Sequence, residues 1–78
     1  MLHDFLEYVV SRLVEYPEDI SIEMFEDGDT DVYELTLRQS DLGKVVGRQG
    51  KTVNSIRSLM QLGMEDPNRK CALKLIED

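Results

Sequence analysis

From the second residue onward, apolar side chains fall at Leu2, Phe5, Leu6, Val9, Val10, Leu13 and Val14. This three-four spacing gathers them on one stripe of an amphipathic helix. Proline disfavours helical backbone at the preceding residue and has no N–H for the ladder, so Tyr16-Pro17 ends that helix. Ile20 to Met24 then alternates as a strand does, and Asp27-Gly28-Asp29 supplies hairpin turn chemistry. A second strand, Val32 to Leu37, sets Tyr33, Leu35 and Leu37 on one face, toward the first helix, and Glu34, Thr36 and Arg38 on the other. Ser40 and Asp41 are N-cap residues for a short helix, Leu42 to Val46, that runs into Gly47. Beyond Gly50 a longer helix, about Lys51 to Leu62, places Val53, Ile56 and Met60 on one face and stops at Gly63. Asp66-Pro67-Asn68 marks a loop, and Cys71, Leu73 and Leu75 alternate with Ala72, Lys74 and Ile76 in a final strand.

The predicted order is α-β-β-α-α-β. In 78 residues this makes one α+β domain spanning 1–78: a three-stranded mixed sheet with helices packed on one face, its last two strands joined through two helices and therefore parallel. So short a chain buries only a small core. Leu59 and Leu62 widen the apolar face of the longer helix, which is either ordinary core or the surface of a homodimer.

Charge changes the picture once it is divided along the chain. The net charge is −7, yet residues 1–37 hold eleven acids and one base, residues 38–57 hold one acid and five bases, and residues 58–78 hold four acids and three bases. Arg38, Lys44, Arg48, Lys51 and Arg57 therefore surround the two glycines, where a local positive field attracts phosphate although the whole molecule is acidic. The first helix is broken by Asp4, Glu7, Arg12 and Glu15, so it is not expected to span a membrane, and it lacks the pattern of a signal peptide. With a single cysteine, Cys71, expected in the core, the simplest location is the reducing cytoplasm.

Gly47-Arg48-Gln49-Gly50 joins two helices. Without Cβ atoms at its ends, such a loop turns sharply and lies close to a sugar-phosphate chain, while the N-terminus of the following helix faces phosphate oxygens. Arg48 and Lys51 add charge, Gln49 adds a donor, and Leu42, Val45, Val46 and Val53 are expected to line an apolar shelf for unstacked bases, read against backbone groups of the neighbouring strand. A loop freed from phosphate would have no chemical need for both glycines. Gly50-Lys51-Thr52 resembles the end of a P-loop, but Val45 stands where that motif needs glycine. One His and one Cys, far apart, offer no catalytic constellation, and Asp27 to Asp31 lacks the spacing of a calcium loop. Neither an enzyme nor a metal or cofactor site is expected.

The run Gly43-Lys44-Val45-Val46-Gly47-Arg48-Gln49-Gly50-Lys51-Thr52-Val53-Asn54-Ser55-Ile56-Arg57 resembles the signature of the K-homology (KH) domain. Nearly the whole chain is similar to the bacterial type II arrangement, and within it to the small single-domain KhpA-like family. The resemblance implies binding of single-stranded RNA, about four nucleotides per domain. The clamp would be Gly47, Arg48, Gln49 and Gly50, with Lys44 and Lys51 as charge support, and Arg57 is expected among the RNA-binding residues. It also implies a global RNA-binding factor or RNA chaperone, working as a homodimer or with a second KH-containing protein. The competing reading is a module that keeps the KH shape but binds protein through its apolar helix, with little affinity for RNA.

Overall fold

The computed structural model describes residues 1–77. Its helices are α1 (Leu2–Leu13), α2 (Leu42–Val46) and α3 (Lys51–Leu62), and its strands are β1 (Ser21–Asp27), β2 (Thr30–Leu37) and β3 (Lys70–Glu77). The order is the expected α-β-β-α-α-β. One sheet is formed in the order β1-β2-β3, antiparallel between β1 and β2 and parallel between β2 and β3.

The register decides which side chains share a face. Ile22 and Met24 on β1, Tyr33, Leu35 and Leu37 on β2, and Cys71, Leu73 and Leu75 on β3 all point to one side. All but the half-exposed Met24 meet Leu6 and Val10 of α1, Val45 of α2, and Val53, Ile56 and Met60 of α3 in a single cluster, with Ile22, Cys71 and Leu75 partly buried at its margin. Cys71 is half-buried against this cluster, and burial, followed by the nearby Asp31 charge, raises its thiol pKa. On the opposite face Val32 is also buried, screened by Phe25 and Ala72, its partners in the two flanking strands.

Two expectations need correction. The apolar stripe continues through Val14, but α1 stops at Leu13 and Val14 is already extended. The cause lies elsewhere in the chain. Asp41 was expected to cap α2; its carboxylate instead accepts the backbone N–H groups of Glu15 (3.1 Å) and Tyr16 (3.0 Å), drawing that segment out of the helix. Asp41 is fully buried. Burial alone would push its carboxyl pKa up, but the two amides and Lys44 outweigh burial and hold it below the ordinary carboxylate range.

Candidate nucleic-acid interface

Between α2 and α3 the backbone takes an unusual path. Gly47 has φ 75° and ψ 176°, Gln49 has φ 56° and ψ 27°, and Gly50 has φ 75° and ψ 11°. Three of four consecutive residues thus sit in the region that side chains avoid, and Gln49 is the sole non-glycine with positive φ among the described residues. The two glycines differ in what they face. A Cβ at Gly47 would overlap the Thr52 side chain, whereas one at Gly50 would meet only the Asn54 amide, at 3.6 Å. Gly47 is therefore required by the packing of the loop on α3, and a need for both glycines does not by itself argue for phosphate. Arg48 and Gln49 stand exposed at the tip, and no side chain caps the N-terminus of α3.

The five bases around the loop have unequal freedom. Arg38 donates to Asp19 at 2.7 Å and lies 3.7 Å from the centre of the Tyr16 ring. Lys44 stands 3.2 Å from Glu15 and 3.4 Å from Asp41, and its pKa is raised chiefly by the Glu15 hydrogen bond. Arg57 donates to the Leu73 carbonyl at 3.0 Å and to Asn54 at 3.2 Å. Only Arg48 and Lys51 of the five make no ion pair or side-chain hydrogen bond among the described residues. The free positive charge is thus smaller than the composition implies, and it sits at the loop itself.

The expected apolar shelf is also smaller. Val45 is 0 % and Val53 4 % exposed, so both are core and neither is available to a base; Leu42 and Val46 are half-buried and keep some open surface. Helical spacing marks an apolar face without saying whether the sheet covers it, and here the sheet does.

Sequence reasoning missed what α3 does to the neighbouring strand. Cys71 N–H donates to Gln61 Oε1 at 2.9 Å, and Gln61 Nε2 donates to the Arg69 carbonyl at 3.1 Å. Together with the Arg57 contact to Leu73, these side chains satisfy part of the outer edge of β3. The backbone groups of Leu75, farther along that edge, face the same way and have no such side-chain partner among the described residues. Among the described residues, no three His, Cys, Asp or Glu side chains are placed to hold a metal ion, and no helix is long and apolar enough to cross a membrane.

A family model described as KhpA/KhpB, KH domain, matches residues 3–75. Among curated proteins, the chain is 36% identical over 77 residues to "RNA-binding protein KhpA" of Chlamydia caviae, covering 99% of each. It is 34% identical over 77 residues to the protein of that name in Chlamydia trachomatis, again covering 99% of each. With that of Oceanobacillus iheyensis the identity is 35% over 71 residues, 91% of this chain and 95% of that protein. No solved structure matches the chain.

Proposed function

The chain belongs to the KhpA/KhpB KH-domain family, and from that premise we propose that it grips a short single-stranded RNA segment with Gly47-Arg48-Gln49-Gly50. The observation that carries this reading is the loop: a strained, solvent-exposed turn that holds Arg48 and Gln49 outward beside the uncapped N-terminus of α3. Strained backbone persists where surrounding structure enforces it, and it concentrates at binding sites. Arg48 and Lys51 take phosphates, the half-buried Leu42 and Val46 receive a base face, and the open edge of β3 beyond Leu73 offers backbone groups to base edges. Lys44 acts mainly as a brace, since its charge already pairs with Glu15 and Asp41; Arg57 is held by the Leu73 carbonyl and Asn54, both neutral.

In this reading the protein is a cytoplasmic RNA-binding factor or RNA chaperone without catalytic chemistry, and it works as a dimer. Leu59 (53 % exposed) and Leu62 (82 % exposed) on the outer side of α3 supply the surface for a second copy or another KH-containing protein. The test is an NMR amide titration with short single-stranded RNA pools at low and moderate salt, beside an Arg48→Asp/Gln49→Asp variant. Shifts at residues 42–57 that weaken with salt and vanish in the variant are expected. A folded chain whose amides stay unmoved at every salt concentration overturns the RNA reading and leaves the protein-binding module in its place.

A further inference from the structure

The sheet has two edges, and the molecule treats them differently. On β3, the Cys71 N–H and Leu73 carbonyl reach Gln61 and Arg57 of α3, so odd-numbered positions face outward and Ala72 and Lys74 face β2. In a parallel ladder a residue bonds the neighbours of its partner; Tyr33, opposite Leu73, therefore spends its backbone groups on β3, while Val32 and Glu34 spend theirs on β1. Their partners Phe25 and Glu23 are thereby used. Ile22, Met24 and Glu26 turn N–H and C=O away from the sheet. The two-residue turn Gly28-Asp29 fixes the same parity, because such turns close on a hydrogen-bonded pair, here Asp27 and Thr30.

Among the described residues, this second edge is only lightly covered. β1 packs on β2 and only marginally on other elements, and six of its seven residues are exposed. Edge strands are commonly blunted by charged side chains, lysine above all, by proline, by a bulge or by a covering element. β1 has no Lys or Pro, and its register runs unbroken from Ser21 to Asp27.

The chemistry around the edge selects the occupant. The charged side chains of β1 are Glu23, Glu26 and Asp27, all acidic. Glu26 borders a hollow of about 300 Å³ whose lining includes Asp31, Glu65, Asp66 and Arg69. Arg69 is held at 2.7 Å by Asp31 and stands 4.0 Å from Glu26, so it offsets only part of that charge. Met24 (49 % exposed) and Phe25 (43 % exposed) offer apolar contact on opposite faces. A second copy of β1 would bring three more acids and no base to this edge. We infer that the β1 edge takes up an extended basic segment of another protein by strand addition, with apolar residues opposite Met24 and Phe25 and Lys or Arg opposite Glu23, Glu26 and Asp27. The inference rests on the pairing and chemistry of β1 alone, so it does not depend on the RNA reading.

The experiment adds a capped Lys-Lys-Val-Val-Lys-Val peptide to the full chain and follows amide hydrogen exchange. At about ten times its Kd the peptide slows exchange at Ile22, Met24 and Glu26, whose amides have no bond to β2 in the free chain, by about tenfold. Met24→Pro removes one outward N–H and no bond to β2, so it keeps the fold and loses the peptide. Glu23→Lys/Glu26→Lys changes side chains only, weakens binding by about tenfold or more, and decides the matter if the proline variant unfolds. Absence of binding, or binding that leaves the Ile22, Met24 and Glu26 amides unprotected, overturns the inference. So does slowing of the same three amides with rising protein concentration alone, which makes the occupant a second copy.

Discussion

A side chain at position 47 has nowhere to go, because the Thr52 side chain already fills the space a Cβ would take. Position 50 has positive φ but open surroundings. Urea denaturation should therefore separate the two glycines: Gly50→Ala costs about 1 kcal/mol from left-handed backbone alone, and Gly47→Ala about 2 kcal/mol or more because crowding is added. RNA titration of Gly50→Ala then tests the clamp in a protein that remains folded. Asp41 is the other residue whose replacement reads cleanly. Its folded pKa is lowered, so the stability it contributes is present above the ordinary carboxylate range and is lost as pH falls through the folded value. Asp41→Ala should lower Tm at neutral pH by about 5 °C or more, since the Glu15 and Tyr16 amides lose their acceptor. It should also flatten the acid side of a Tm-against-pH curve, a change that a merely space-filling aspartate would not produce.

α3 has three working faces. Val53, Ile56 and Met60 enter the core, Leu59 and Leu62 look outward, and Arg57 and Gln61 reach the edge of β3. The last role makes a local prediction: in Gln61→Ala the Cys71 amide loses its acceptor, and its exchange quickens by about five- to tenfold while Ala72, bonded within the sheet, changes little. The core face was legible in the sequence because helical spacing is a local property, as were the hairpin turn and the glycine loop; whether Leu59 and Leu62 joined the core or faced outward was left open by spacing and is answered by their exposure. The edge-binding face was not, since it depends on which backbone groups of β3 look outward, and parity is set by pairing with β2. The end of α1 was hidden for a similar reason: the carboxylate that stops it lies 26 positions from Glu15. Val45 and Val53 were misplaced onto the binding surface because periodicity identifies an apolar face but not its cover.

Across the whole molecule, acids dominate α1 and the β1-β2 hairpin, and the bases near the loop with neither an ion pair nor a side-chain hydrogen bond among the described residues are Arg48 and Lys51. A chain of net charge −7 repels RNA at long range, so binding must be decided by contacts made inside the screening length, about 10 Å at 0.1 M salt. Above that ionic strength the dependence of log K on log salt counts the phosphates engaged, at about −0.7 per contact for a single strand. Two free cations predict a slope of about −1.4 for an RNA long enough for one loop only. Had all five bases around the loop been available, the slope would approach −3.5. The same measurement reports on assembly, because a dimer formed through Leu59 and Leu62 presents two loops to one strand. For a longer RNA that spans both, the slope should double to about −2.8 and affinity should rise by avidity. Leu59→Glu/Leu62→Glu should return both quantities to their one-loop values while leaving the short-RNA slope unchanged. A long-RNA slope that stays near −1.4 in the unaltered chain would mean that each domain grips alone, and that the apolar side of α3 serves something other than joining two RNA-binding loops.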